Sequence, residues 1–295
     1  MSDCGSCAIS VIAFIGSVFS PWYRWSGRRD PDNNVCINVA TYGRGGRFTM
    51  TDRGRTALRQ TRSNFTVGPS ALNWDGNRLV IEVDEWASAP IPGTVKGTLT
   101  ISPGAVTDVD LPLTPEGTHI WRPFAPTARI CVNLNRGWQW RGHGYFDANF
   151  GTRALEQDFR FWTWGRFPSK QGTLAFYDVE RIDGSILSAA FRFGADGSAE
   201  EIEAPPLTRF RRSMWLVRRD TRADTGTRPR QVKALLDAPF YSRSLVETII
   251  EGEAVRGVHE ALDLRRFASP LLQPMLAIRV PRRSRWKFRP PPAEK

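Results

Sequence analysis

Hydrophobic and polar residues alternate with a period of two along much of this 295-residue chain. In Leu79-Val80-Ile81-Glu82-Val83-Asp84, the side chains of Leu79, Ile81 and Val83 fall on one face and those of Glu82 and Asp84 on the other, as successive residues of a strand do. Val95, Leu99 and Ile101 alternate in the same way with Lys96, Thr98 and Thr100, and Ile130, Val132 and Leu134 with Arg129, Asn133 and Asn135. Such segments predict half-buried antiparallel strands. Between strands, Asp75-Gly76, Asp183-Gly184 and Asp196-Gly197 suit the positive φ of tight hairpins. Gly43-Arg44-Gly45-Gly46 lacks the Lys-Ser/Thr that completes a phosphate-binding loop and also reads as a hairpin turn. Residues 8–19 predict a buried first strand, being shorter than the roughly 20 apolar residues of a spanning helix. Asp3 precedes that run with no Lys or Arg, unlike a signal peptide. Helix is expected only in short pieces, at residues 51–60 and 241–247.

After Leu134 the pattern changes to a Gly- and aromatic-rich segment, residues 137–151, and then to a second set of strands. Phe161-Trp162-Thr163-Trp164 opens that set, residues 173–179 and 186–193 flank Asp183-Gly184, and residues 212–217 follow the Pro205-Pro206 break. No strand is followed by a long amphipathic helix, so two β-units, each a sandwich or barrel, are expected rather than an α/β fold. The boundary falls near Arg136: an N-terminal β-domain at residues 8–136, a C-terminal β-domain at 137–280 and a basic tail at 281–295.

Composition adds a formal net charge of +11 and 11 Trp. No helix-turn-helix, zinc-finger or ribonucleoprotein pattern accompanies the charge, so no nucleic-acid partner is expected. The one local concentration runs through Arg279, Arg282, Arg283, Arg285, Lys287 and Arg289, with Trp286 and Phe288 interleaved. A solvated tail accounts for it, or an anionic membrane surface, which attracts each nearby cation by about 1 kcal/mol. Cys4, Cys7, Cys36 and Cys131 do not form a disulfide framework, and Cys4-Gly-Ser-Cys7 has no second pair or His cluster to make a metal site. A cytoplasmic protein is expected.

Chemistry concentrates in Arg141-Gly142-His143-Gly144-Tyr145-Phe146-Asp147-Ala148-Asn149-Phe150-Gly151. His119, Trp121, Trp138 and Trp140 lie upstream, and Trp162 and Trp164 downstream. An Asp buried among aromatic rings favours its neutral form, because desolvation penalises the carboxylate. A neutral carboxylic acid in such a pocket is a proton donor. The other reading is a turn in which Asp147 caps backbone N–H groups while Tyr145 packs in the core. His119, His143 and Asp147 lack the i, i+4 spacing of a metal site. Neither a metal nor a nucleotide cofactor is expected.

Several blocks of the chain, in order, resemble the carotenoid 1,2-hydratases, or hydroxyneurosporene synthases, of phototrophic bacteria. They are Phe14-Ile15-Gly16-Ser17-Val18-Phe19-Ser20-Pro21-Trp22-Tyr23, Asn38-Val39-Ala40-Thr41-Tyr42-Gly43, Met50-Thr51-Asp52-Arg53-Gly54, Gly144 through Gly151, Ala238-Pro239-Phe240-Tyr241-Ser242-Arg243-Ser244 and Val258-His259-Glu260-Ala261-Leu262-Asp263-Leu264-Arg265-Arg266-Phe267. The resemblance implies an all-β fold of two lipocalin-like antiparallel barrel or sandwich domains with few short helices, and a ligand site near their junction. It also implies cofactor-independent addition of water to the terminal double bond of an acyclic carotenoid such as neurosporene or lycopene, giving a tertiary alcohol. Asp147 matches the family's acidic position and is expected to be the general acid. Tyr145 and Trp121 would line the pocket and face a tertiary carbocation, which aromatic faces stabilise by about 0.5–2 kcal/mol each. His119 or Asn149 would hold the attacking water, and Trp138, Trp140, Trp162 and Trp164 would hold the carotenoid end. The lipid substrate places the protein peripherally on the cytoplasmic side of the photosynthetic or inner membrane. Two other readings share the scaffold: a lipocalin-like carotenoid or isoprenoid carrier without activity, and a different cofactor-free reaction such as isomerisation or cyclisation.

Overall fold

A computed structural model describes residues 1–88 and 90–288. They form an all-β protein of almost wholly antiparallel sheets with a few short helices, as the alternation requires. Two compact units are present, one of Met1–Pro103, Ala128–Gly144 and the residues from Leu271 onward, the other of Gly104–Thr127 and Tyr145–Pro270. Both are discontinuous in sequence and so differ from the continuous halves 8–136 and 137–280. The reason is that the long strands His119–Leu134 and Trp138–Gly151 each contribute residues to both.

The first unit is built on Val35–Tyr42, all of whose residues are buried. Ala8–Ile15 pairs with it along its whole length, from Ala8 opposite Tyr42 to Ile15 opposite Val35. A strand covered on both faces must satisfy its polar side chains internally, and Asn38 Nδ2 donates to Thr49 O at 2.7 Å. The apolar run at residues 8–19 is therefore not one buried strand. It is only partly covered and ends at Ile15, where Gly16 takes φ +66° and a Cβ would come within 2.9 Å of Pro31. Leu79–Ala87 buries Leu79, Ile81 and Val83 and exposes Glu82; it pairs with Gly93–Pro103, which pairs in turn with residues 128–134. Asp75-Gly76 makes the expected turn, with Gly76 at φ +101° and Asp75 Oδ1 accepting from the backbone N–H groups of Asn77 and Arg78.

No helix spans residues 51–60. Gly54 interrupts the segment, which divides into the short strand Asp52–Arg53, one 3₁₀ turn at Arg55–Ala57, and the strand Leu58–Gln60 paired with Asn64–Val67. The tail also differs from a free basic segment in its described part. Arg282–Arg283 pairs in parallel with Asp52–Arg53, Arg282 forms an ion pair with Asp52, and the Arg59 guanidinium lies 3.6 Å from the Phe288 ring centroid. Arg289 and the residues after it lie outside the described part.

The second unit holds a seven-stranded antiparallel sheet in the order Ala199–Glu201, Ile186–Phe193, Gly172–Arg181, Phe159–Ser169, Glu253–Asp263, Tyr241–Ile250, Arg230–Ala238. Two meanders thus meet where Phe159–Ser169 pairs with Glu253–Asp263. Gly184 and Gly197, at φ +93° and +90°, close the expected turns. Residues 241–247 are strand rather than helix, because strands on both sides take up their backbone groups and pairing overrides local preference. Residues 212–217 are not a strand but a tight loop, in which Leu216 is left-handed at φ +61° and donates its N–H to Ser213 O at 3.0 Å. One face of the sheet packs Phe167, Leu174, Phe176, Val246, Ile250 and Val255 with Phe210. The opposite face positions the site.

Candidate active site

Alternation along Phe159–Ser169 sends Trp162, Trp164 and Arg166 to that second face. The register sets Trp164 opposite Tyr177 on one side and Glu260 on the other, and sets Glu260 opposite Arg243. Directly opposed residues share a face with Cβ atoms about 5 Å apart. Tyr177, Trp164, Glu260 and Arg243 therefore form one row across four strands. Tyr145 packs on this row with its ring 5.1 Å from that of Trp164, and Trp121, fully buried, lies 5.5 Å from the Tyr177 ring.

Tyr145 and Asp147 are two residues apart on one strand and so point the same way. Trp121 Nε1 donates to Asp147 Oδ2 at 2.8 Å and reaches the Tyr145 hydroxyl at 3.3 Å. Tyr145 in turn donates to Asp147. The turn reading of this segment is excluded, since Asp147 sits within a strand and its side chain accepts from a phenol and an indole rather than from backbone N–H groups. Burial pushes the Asp147 pKa up to about 6; the Tyr145 and Trp121 hydrogen bonds oppose the rise, the nearby Glu260 charge adds to it, and Arg243 opposes it. Burial likewise raises the Tyr145 and Tyr177 hydroxyls and lowers Arg166 to about 10, so both phenols stay protonated and Arg166 stays charged at neutral pH. The Arg166 guanidinium lies 5.5 Å from the Tyr145 ring centroid, and its Nε donates to Pro126 O at 2.8 Å. Chemically this is a weak acid with two neutral hydrogen-bond donors, no ion-pair partner among the described residues, and aromatic rings around it.

The remaining expected residues divide. Trp164 is in the cluster, and Trp162 borders it with its ring 5.8 Å from that of Tyr177. His119 is buried but engaged elsewhere: its Nε2 lies 3.0 Å from Asp158 Oδ2 and its ring packs on Phe159 at 4.8 Å. Burial lowers its pKa. Asn149 continues the Tyr145 and Asp147 face of its strand but is exposed. Trp138, Trp140 and His143 belong to the first unit, where the Trp138 ring lies beside Gly43 and the His143 carbonyl accepts from the Met1 amino group at 2.7 Å. Sequence reasoning assigned no role to Tyr177, Arg166, Glu260 or Arg243. Their parity places them on the site face, but only the strand register reveals it. A cleft of about 360 Å³ in the same unit is lined by Glu180, Leu207, Arg209, Arg218 and Asp220. Its charges pair with one another, Arg218 with Glu180 and Asp220, and Arg209 with Asp220, which does not suit a long hydrocarbon.

A family model described as carotenoid hydratase CrtC matches residues 11–289. The chain belongs to the carotenoid hydratase family. It is 63% identical over 278 residues to the acyclic carotenoid 1,2-hydratase of Cereibacter sphaeroides, covering 94% of this chain and all of that one. Against the acyclic carotenoid 1,2-hydratase of Rhodobacter capsulatus it is 59% identical over 280 residues, covering 95% and 100%. Among solved structures, a putative AttH from Nitrosomonas europaea matches with a TM-score of 0.57 at 13% identity over 89% of each chain. CghA with Sch210972 matches with a TM-score of 0.51 at 15% identity over 88% of this chain and 85% of that one. These two likenesses concern the fold alone.

Proposed function

We propose that this hydratase-family chain adds water to the terminal double bond of an acyclic carotenoid such as neurosporene or lycopene, by acid catalysis and without a cofactor. An isolated alkene is a poor base, so the reaction needs a neutral acid in a dry site. The observation that carries the reading is Asp147, raised to about 6 by burial and bonded, among the described residues, to the neutral donors Trp121 and Tyr145. Asp147 delivers its proton to the less substituted alkene carbon. The resulting tertiary cation faces the rings of Trp121, Tyr145 and Trp164, whose quadrupoles attract it, and water then attacks. Incubating the protein with lycopene in membranes and ¹⁸O-labelled water tests this, with labelled tertiary alcohol as the expected product. Unchanged pigment from folded protein overturns it, and pigment retained on the protein without conversion identifies a carrier.

Peripheral binding to an anionic membrane, on the cytoplasmic side, is the second part of the proposal. Among the described residues no helix is long and apolar enough to cross a membrane. The first unit exposes Trp25, Leu271 and Ile278 together with Arg283, Arg285 and Lys287, a combination that suits a lipid headgroup layer. Co-sedimentation with anionic vesicles, lost at high salt, is the expected result.

A further inference from the structure

Hydration handles a proton twice. One reaches carbon, and a second must leave the water oxygen once it has bonded to the cation. Asp147 is poorly suited to the second task. After giving up its proton it is a carboxylate that already accepts from Trp121 Nε1 at 2.8 Å and from Tyr145, so protein donors take the places that a water would need. His119 Nε2 lies 3.0 Å from Asp158 Oδ2, and Asn149 is exposed.

Another carboxylate stands in the same row. Glu260 lies directly across from Trp164, the ring on which Tyr145 packs. Its Oε1 accepts from Arg243 Nε at 2.7 Å, an ion pair with side chains only 9% and 16% exposed. Among the described residues its Oε2 accepts no hydrogen bond. In the residue opposite it, the buried Trp164 Nε1–H has no hydrogen-bond partner among the described residues, and buried polar groups of this kind are expected to be satisfied. A free carboxylate oxygen and an orphaned donor together match what a water molecule needs.

We propose that Glu260 is the base that receives a proton from the attacking water, with Trp164 Nε1–H holding the water and Arg243 positioning the carboxylate. This inference rests on the hydration reading above. Asp147 transfers its carboxyl proton to the alkene CH, whose π pair forms the new C–H bond and leaves the tertiary cation. A water lone pair forms the C–O bond while one O–H bond breaks, its electron pair staying on oxygen and its proton passing to Glu260 Oε2. Glu260 then returns that proton to Asp147 through solvent. One water is consumed, and no oxidant or reductant is required. The Glu260 charge acts on Asp147 and Tyr177, and Arg243 is its ion-pair partner.

The test uses the full chain, lycopene in vesicles and D₂O, and reads both the alcohol formed and the deuterium in recovered lycopene. Glu260→Gln is expected to cut hydration at least about 100-fold while the cation still forms and collapses in part by loss of the original hydrogen of the protonated carbon rather than the deuteron just delivered, so that recovered lycopene carries deuterium. Asp147→Asn should abolish both signals. Glu260→Asp, which keeps a carboxylate, should recover at least tenfold over Glu260→Gln, and it carries the test alone if the Gln variant does not fold: reduced hydration with exchange retained. Hydration by Glu260→Gln within threefold of wild type, or loss of exchange together with hydration in either variant, overturns the assignment while leaving the hydratase reading intact. If wild-type protein neither hydrates nor exchanges, the hydratase reading itself fails and this proposal with it.

Discussion

Glu85 of the first unit and Asp147 of the second are carboxyls whose pKa burial raises, yet their partners differ in charge. Glu85 accepts from Arg53 Nη2 at 2.7 Å and from Ser70 Oγ at 2.9 Å, and neither side chain of the ion pair is more than 4% exposed. Asp52, also buried, is paired with Arg282 in the same unit. Asp147 instead accepts from an indole and a phenol. Burial alone therefore does not single out a catalytic acid. The Glu85 carboxyl, fully enclosed with the Arg53 guanidinium, cannot give up its charge without stranding a cation, whereas Asp147, held by neutral donors, can gain or lose a proton at modest cost.

The largest expected effect separates the two kinds directly. Asp147→Asn keeps the shape and removes the proton, so hydration should fall by about 1,000-fold or more, within the range for loss of a general acid, with the urea midpoint unchanged or raised. Glu85→Gln should do the reverse. It leaves Arg53 buried without its counter-ion, at a cost of about 3 kcal/mol or more, while protein that remains folded turns over at near the wild-type rate. Equal destabilisation by both substitutions, measured by urea unfolding, would make the two carboxyls one class and break the comparison.

How much of this was legible follows from particular residues. Leu79–Ala87 could be read because only one face is covered, and the same alternation puts Glu85 in phase with Leu79, Ile81 and Val83, a charged residue on a buried face that calls for a partner. Val35–Tyr42 gives no such signal, since both its faces are buried. At the site, Trp121, Tyr145, Asp147 and Trp164 were legible as an acid among aromatic residues. Trp138 and Trp140 misled because nearness in sequence carried no information about which unit a long strand would serve at that point. Glu260 was hidden within a resembling block. Its neighbours His259 and Ala261 are buried on the other face, and its place opposite Trp164 depends on a pairing distant in sequence.

Acidity offers a smaller, continuous way to sharpen the contrast. With its pKa near 6, Asp147 is mostly protonated below that pH, and hydration should fall about tenfold per pH unit above it. The sign for stability follows from the same shift. Between 3.8 and about 6 the folded state keeps a proton that the unfolded chain has lost, so this group's contribution is full below pH 4 and is lost as pH rises through 6. Asp147→Asn should flatten that part of the wild-type stability profile, measured by urea unfolding at successive pH values. A profile of equal slope in both proteins would place the Asp147 pKa at its unfolded value and remove the case for a neutral acid.

The finest distinction concerns the donors themselves. Trp121→Phe keeps a ring in the site but deletes the Nε1–H that reaches Asp147 at 2.8 Å. A donor to a carboxylate favours its charged form, so its loss should move the alkaline fall in activity to higher pH while turnover stays within about tenfold of wild type, the scale of one lost hydrogen bond to a charged group. Trp121→Ala removes the ring as well and leaves a cavity costing about 3–5 kcal/mol, so it should reduce both turnover and stability. In the first unit, Ser70→Ala deletes the equivalent neutral donor to Glu85. There the Arg53 ion pair remains, and the expected result is a loss of about 1–2 kcal/mol in stability with no movement of the activity profile. A pH profile shifted by Ser70→Ala, or unshifted by Trp121→Phe, would show that neutral donors do not set the acid apart and that its character comes from burial alone.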